Sequence, residues 1–554
     1  MRAQTLHHLI ILLLVSYFLF FYRIGVRDLW NPDEPRYAQV SREMLQTGDW
    51  VVPHLNGEVY PEKPPLYFWL VALVSQPVGD VTEVTVRVPS AAAATMVVLI
   101  TYLLGSRLLE RREALLGAIV TATSAQFLWI GRAGVIDMLL TLSIIAALAC
   151  FYFGYAHERF LLYVTGFVFL VPAALSKGPV GIAVPVLVMV VFLIVELVLR
   201  KEGAGRQFGR FLAAMLLGLI VTFAVVGPWW HAAYERSGGA YGSIQILAKQ
   251  TAGRMFESYS HQRPFYYYLY QILWQFLPWT VFFPLVAHRL AKGGNLRENR
   301  ELRFLATWFT TVFLFFTCIS GKRSQYLLPL FPAGGLLLGW ALMKLNPGTG
   351  RLSERKEFWI PLLALLLLVL GCVITLPAVA YMYAREYLWI ALIAAGLGAV
   401  AFIVSACLCQ RLRPSGALAG VIAATILAGA LTFGYFVEVI DEYKSARPFC
   451  ENILNAMGEE DGAFFYCTYR PNIHYYMGRQ LPVLVEWESM QEAVEGFPRI
   501  YVIAESESNE NLENLKRVFH VCRVGSGQIG KRDVLCVVIS SRDPRDAGLT
   551  LSRP

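Results

Sequence analysis

Asn31-Pro32-Asp33-Glu34-Pro35-Arg36-Tyr37, continued by Tyr60-Pro61-Glu62-Lys63-Pro64-Pro65, is a polar, proline-studded stretch set directly behind the apolar run 6–22. That order decides the fold. A helix needs roughly 20 predominantly apolar residues to cross a bilayer, so an acid pair this close to such a run lies near the lipid headgroups. Ionisable groups at that depth cost free energy unless they have a partner or a task.

Composition agrees. Over 554 residues, 56% are hydrophobic and only 16% charged, and the mean hydropathy is +0.50. These values exclude an ordinary soluble globule and predict a polytopic α-helical membrane protein. Thirteen runs are candidate transmembrane helices: 6–22, 86–106, 114–130, 134–153, 160–175, 179–199, 211–230, 266–287, 303–320, 325–343, 357–379, 387–409 and 415–437. Leu66 to Val74 is too short to span and reads as a helix lying on the interface.

Lys and Arg crowd alternate loops, with Arg107, Arg111, Arg112, Arg200, Lys201, Arg289, Lys292, Arg411 and Arg413 on one side. The short loops of the other side hold Arg132, Lys177, Lys322, Arg323 and Arg385. The positive-inside rule then predicts a cytoplasmic N-terminus and an external C-terminus. The net charge of +8 is spread over loops, unlike a nucleic-acid-binding face, where it concentrates. The expected organisation is a membrane domain over 1–438, with a first external loop at 23–85, a second at 231–265, and a small external α/β domain over 439–554. Tyr234, Tyr241, Tyr259 and Tyr266-Tyr267-Tyr268 fit an interfacial aromatic belt.

In the C-terminal part, 462–466, 483–485, 499–503 and 534–539 read as strands, and 447–457, 487–495 and 508–518 as helices. No Gly-rich phosphate loop occurs there, so no nucleotide is expected. Cys450, Cys467, Cys522 and Cys536 leave a disulfide chemically permitted but unassigned. Leu6 to Tyr22 lacks a small-residue cleavage site and reads as an uncleaved anchor.

This topology places Asp33, Glu34, Glu62, Lys63, Asp137, Lys177, His261, Arg263, Lys322 and Arg323 on one external face, which suggests one cavity. Each has a plainer reading. Asp33 and Glu34 can cap a helix lying on the membrane and ended by Thr47-Gly48, where the dipole keeps an acid ionised. Lys63 can pair with Glu62 for only ~0–1 kcal/mol, or hold a phosphate as a point charge. Lys177 and Lys322-Arg323 sit in turns that suit an anionic lipid, or merely snorkel to headgroups. Asp137 begins a span, which makes it a functional candidate by position. His261 ligates a metal only if a carboxylate such as Glu62 folds against it.

Leu29 to Ala38, with Ser41-Arg42-Glu43-Met44-Leu45, Gly48-Asp49-Trp50, Val52-Pro53-His54-Leu55 and Glu62-Lys63-Pro64, closely resembles the aminoarabinose transferases that modify lipid A. These belong to the GT-C superfamily, which includes protein O-mannosyltransferases. The likeness continues through Asp137, Ser176-Lys177-Gly178, Pro228-Trp229, His261 to Tyr268, Leu277-Pro278-Trp279 and Gly321 to Pro329. It implies catalytic roles for Asp33 and Asp137, and carrier-phosphate binding by Lys63. It implies a donor cavity lined by Arg36, Tyr37 and Tyr60, a lipid contact at Tyr326, and structural zinc on Glu62 and His261. Glu34, Lys177, Arg263 and Lys322 join the expected substrate-binding set. Pro65-Leu66-Tyr67-Phe68 departs from the small residues of the enterobacterial enzymes, and nothing beyond 440 resembles them, which leaves the acceptor open.

The expected reaction moves a sugar with inversion from polyprenyl phosphate to an acceptor, most simply lipid A phosphate, at the periplasmic face of a bacterial inner membrane. A protein or another glycan is the alternative acceptor. A flippase would use the same cavity without chemistry, but the paired halves with interrupted spans common in transporters are not evident in the sequence.

Overall fold

The computed structural model describes residues 2–199, 201–242, 262–292, 296–344, 414–505, 520–529 and 532–540, with scattered positions between 360 and 400. The chain forms two compact units. One comprises Met1–Ile24, Pro61–Leu70 and Arg87–Phe436; the other comprises Gly25–Tyr60, Val71–Val86 and Val437–Pro554.

Among the described residues of the first unit, eight helices are long and apolar enough to cross a membrane, and two bent helix pairs raise the number to ten. Ala3–Phe21, Glu83–Leu108, Asp137–Ala156, Phe160–Lys177, Val180–Val198, Ala204–Arg236, Arg300–Cys318 and Ser324–Met343 are continuous. The predicted count of thirteen is therefore not confirmed among the described residues. The runs 357–379 and 387–409 fall largely outside the described residues, and 415–437 forms the shorter helix Pro414–Leu431 followed by π-helical Thr432–Phe436. Leu66–Ser75 is a ten-residue apolar helix, too short to span.

Two spans are broken. Arg111–Thr123 and Ala125–Gly131 meet at 66° across Ser124, and Tyr267–Gln275 and Trp279–Lys292 at 109° across Phe276-Leu277-Pro278. Ser124 is extended, at ψ 132, and Pro278 cannot donate to a helix. Away from water, the freed backbone groups must find partners. Here the two breaks supply each other: Ala125 N donates to Leu277 O at 3.0 Å, and Trp279 Nε1 donates to Thr123 Oγ1 at 2.9 Å. Nearby, helices Arg111–Thr123 and Phe331–Met343 lie against one another through Gly117, Gly335 and Gly339. A Cβ on Gly339 would stand 2.3 Å from the Glu113 carbonyl oxygen, so glycine sets the approach distance, as in membrane helix pairs generally. Glu196, within a span, accepts from Arg303 and from the Tyr155 hydroxyl at 2.6 Å, which neutralises a charge that lipid would not tolerate.

The second unit is built on a five-stranded sheet in the order Val483–Leu484, Gly462–Tyr466, Ile500–Glu505, Arg532–Ser540, His520–Ile529. The first three strands run parallel and the last two pair antiparallel. Gly462–Tyr466 and Ile500–Glu505 read as near-continuous apolar runs because both faces are covered. Helices Arg447–Ala456 and Pro471–Met477 bury Phe449, Ile453 and Ile473 on one face, with Phe465, Tyr501 and Val538. Met490 and Val494 of helix Trp487–Gly496 cover Phe464, Val502 and Val537 on the other. Strand His520–Ile529 was not expected: Gly525 and Gly527 mask its alternation, and its register shifts between Arg523 and Gly525. The expected helix at 508–518 lies outside the described residues. Cys450, Cys467 and Cys536 are free thiols.

Helix Asp33–Thr47 belongs to this unit and ends where Gly48 turns left-handed at φ 71, a conformation glycine adopts without a Cβ clash. A hairpin follows, pairing His54 with Val59 across Asn56-Gly57. Both turn residues have positive φ, 59° and 79°, the pattern favoured by Asn-Gly. The Glu43 carboxylate accepts from Asn56 N at 2.7 Å and Gly57 N at 3.0 Å, fixing hairpin to helix. Asn56 also exchanges two hydrogen bonds with the Leu481 backbone, at 2.7 and 2.9 Å.

Candidate active site

In the second unit, Asp33 and Glu34 occupy the first turn of helix Asp33–Thr47, where unpaired N–H groups and the helix dipole favour carboxylates. They differ in surroundings. Glu34 is buried and paired with Arg27 at 2.7 Å, whereas Asp33 is half-buried. Arg36 is half-buried, and Tyr37 and Tyr60 are buried. The helix was expected to lie on the membrane. Instead Glu34, Tyr37, Val40, Ser41, Arg42 and Met44 are all buried, so burial runs nearly around it. Arg42 donates to the Tyr475 carbonyl and pairs with Asp80, both at 2.8 Å.

In the first unit, three predicted residues meet. Asp137 opens helix Asp137–Ala156, and Lys177 closes helix Leu170–Lys177. The Lys177 ammonium stands 2.5 Å from Asp137 Oδ1 and 4.5 Å from the centroid of the Tyr326 ring. Each charge sits at the helix end whose dipole favours it, and the ring face attracts the cation further. Gly178, at φ 76, lets the chain leave the helix there.

Lys63 is half-buried and Glu62 exposed. The Lys63 carbonyl accepts from the Tyr241 hydroxyl at 2.7 Å, and Trp229 stands edge-on to both Tyr241 and Trp69. Lys322 is 4% exposed and donates to the carbonyls of Ile319 and, at 3.3 Å, of Arg263. Burial lowers its pKa. It holds two chain segments together, beside the Gln262–Gly321 bridge, rather than presenting a cation outward. The Arg263 side chain is exposed. Tyr241 and Tyr268 are buried, and Tyr268 donates to Arg323 O at 2.9 Å. They pack the interior rather than an interfacial belt. His261 and Tyr259 lie outside the described residues. Among those described, no three His, Cys, Asp or Glu side chains gather closely enough to hold a metal.

The sequence reading missed a set of polar groups in the C-terminal segment that reach the first loop. Asp441 accepts from Trp30 Nε1 at 2.5 Å, Asn472 from Asn31 Nδ2 at 2.7 Å, and Tyr476 from Leu29 N at 2.8 Å. Burial raises the Asp441 carboxyl against its N–H donors. His474, bonded to the Tyr469 hydroxyl at 2.8 Å, is pushed down to about 4 by burial, so its ring is neutral near pH 7. The signal was the polar aromatic run Arg470-Pro471-Asn472-Ile473-His474-Tyr475-Tyr476.

A multi-pass helical unit with acid and lysine side chains at helix ends, joined to a mixed α/β unit, has the architecture of the GT-C membrane glycosyltransferases. The fold is similar to that of ArnT from Cupriavidus metallidurans, solved bound to undecaprenyl phosphate, with a TM-score of 0.77 at 21% identity, covering 95% of this chain and 97% of that one. Residues 5–234 match the family model for dolichyl-phosphate-mannose-protein mannosyltransferase. The undecaprenyl phosphate-alpha-4-amino-4-deoxy-L-arabinose arabinosyl transferase of Aeromonas hydrophila is 32% identical over 379 residues, 67% of each chain. That of Aeromonas salmonicida is 32% identical over 380 residues, again 67% of each chain. The chain belongs to this family of arabinosyl transferases.

Proposed function

We propose that this chain transfers 4-amino-4-deoxy-L-arabinose from undecaprenyl phosphate to a phosphate of lipid A, at the periplasmic face of the inner membrane. The observation that carries the reading is the 32% identity to the Aeromonas arabinosyl transferases over two thirds of both chains. In the displacement, the anomeric C–O bond to the carrier phosphate breaks as an acceptor phosphate oxygen bonds that carbon from the opposite side. Undecaprenyl phosphate leaves. Lys63 neutralises charge growing on it, as preorganised cations do in such sites. Asp33 orients the acceptor and stabilises the oxocarbenium-like sugar. Asp137 holds Lys177 where, beside Tyr326, it meets the carrier. Arg36, Tyr37 and Tyr60 line the sugar pocket.

An apolar cavity of about 700 Å³ between helices Val180–Val198 and Arg300–Cys318, lined by Leu187, Val191, Leu314, Phe315 and Ile319 among others, supports a lipid donor. It offers an isoprenoid chain a surface free of charge, and it reaches Ile319, next to the turn that leads to Tyr326. Mass spectrometry of lipid A and of glycoproteins from cells with and without the gene tests the reading. Loss of an aminoarabinose increment on lipid A is the expected result; a hexose lost from protein instead would reassign the acceptor and overturn the proposal.

The orientation rests on the Lys/Arg asymmetry. Reporter fusions are expected to give a cytoplasmic signal at Gly293 and a periplasmic one at Ser508. A cytoplasmic signal at Ser508 would put the second unit on the wrong side for this acceptor.

Zinc, bound by Glu62 and His261, would brace the external loops, and no step of the transfer runs through it. Glu62 is exposed, and carboxylate with imidazole suits zinc. Elemental analysis is expected to find the metal in the purified wild type and to lose it in His261→Ala. Equal content in both, or none in either, removes zinc from the proposal.

A further inference from the structure

Four consecutive residues ahead of Asp33 are each tied to the C-terminal segment. Asp28 accepts from the Ser445 hydroxyl at 2.6 Å and pairs with Arg447 at 2.8 Å, while its N–H donates to Asp441 at 3.0 Å. Leu29 N reaches the Tyr476 hydroxyl, Trp30 Nε1 the other Asp441 oxygen, and Asn31 Nδ2 the Asn472 side chain. Arg447 extends the network to Glu83, and its guanidinium lies 5.0 Å from the Tyr476 ring centroid. The Lys444 ammonium covers the Trp30 ring at 4.5 Å. Partners drawn from 441, 445, 447, 472 and 476 thus converge on a segment of four residues, two of them through backbone N–H groups. Backbone bonds fix the path of the chain and not merely a side chain.

Loops ordinarily carry high conformational freedom, and ordering each residue's backbone costs roughly 1–2 kcal/mol. Reacting groups nevertheless have to be held to within a fraction of an ångström, and a displacement of about 1 Å can cost roughly 100-fold in rate. A loop that ends at its reactive acid therefore needs an external frame. Asp441 and Asn472 are not themselves among the proposed reacting groups; what they touch is the loop.

We propose that the C-terminal α/β domain is a registration clamp for the reaction, with Asp441 and Asn472 as positioning residues that set Asp33 through Asp28, Trp30 and Asn31. The inference rests on the reading of Asp33 as the reacting acid. Its test uses the full-length enzyme with undecaprenyl phosphate-linked aminoarabinose and lipid A. Asn472→Ala, Asp441→Asn and Trp30→Phe are each expected to lower kcat by about 10- to 100-fold. The donor KM stays within about twofold and the thermal unfolding midpoint is kept, because the carrier-binding groups are untouched. Trp30→Phe with Asp441→Asn is expected to be no slower than the slower single variant, since the bond lost from Trp30 Nε1 is one of the two that Asp441 accepts. Asp33→Asn with Asn472→Ala is likewise expected to match Asp33→Asn alone.

The outcomes separate. An inactive Asp33→Asn beside clamp variants of wild-type kcat overturns the clamp and leaves the reading of Asp33 standing. Wild-type turnover by Asp33→Asn overturns both. A loss of rate that only follows loss of folded protein also overturns the clamp, because it makes these contacts structural.

Discussion

Asp33→Asn is expected to cut turnover by roughly 10²–10⁴-fold, the range typical of a lost acid–base or charge-stabilising carboxylate, while the protein inserts and folds. Amide and carboxylate have nearly the same size, and both offer an acceptor to the first turn of a helix. What the change removes is the charge. Glu34→Gln is the natural contrast, because Glu34 is already committed to Arg27 in a pair whose side chains are only 6% and 11% exposed. Breaking it leaves a buried guanidinium without its counter-charge, a loss of about 3–5 kcal/mol for such pairs, so its effect should fall on thermal stability. Purified variants assayed for transfer and for unfolding midpoint check both. Near-normal turnover by Asp33→Asn would reduce the acid pair to a helix start.

The sequence made the membrane unit legible because lipid imposes a strong and local rule: apolar runs of a given length span. Ten of the predicted runs coincide with continuous or broken helices among the described residues. The breaks were not legible. Ser124 and Pro278 interrupt runs whose hydropathy continues through them, and the bonds from Ala125 to Leu277 and from Trp279 to Thr123 join positions far apart in the chain. Interrupted spans are therefore present, although family membership makes the chain a transferase and not a transporter. The same limit hid the fastening of the first loop. Trp30, Asn31 and Arg42 read as loop polarity until Asp441, Asn472 and Tyr475 stand beside them, more than 400 residues on. Charge alone also misled at Lys322. A lysine in an external turn looks like a phosphate ligand, but a buried ammonium must find acceptors, and the Ile319 and Arg263 carbonyls supply them.

The Asp137–Lys177 pair carries the second large expectation. Both side chains are nearly buried, 6% and 13% exposed, so each charge depends on the other. Asp137→Asn and Lys177→Met should each lower transfer by about 100-fold or more, since a few kcal/mol lost at an interaction of the transition state corresponds to that factor. Their consequences for the fold differ from their consequences for the reaction. Replacing one partner leaves a buried charge without its counter-charge, whereas replacing both restores neutrality. The double variant is therefore expected to regain most of the unfolding midpoint lost by either single change, while its transfer rate stays low. A pair that served stability alone would recover both together. If Lys177 takes part in holding the carrier phosphate, the double variant should also show a raised KM for undecaprenyl phosphate-linked donor, which neutral packing cannot repair. Recovery of stability together with wild-type turnover would assign Asp137 and Lys177 to the scaffold, and leave Lys63 as the cation to examine for the phosphate.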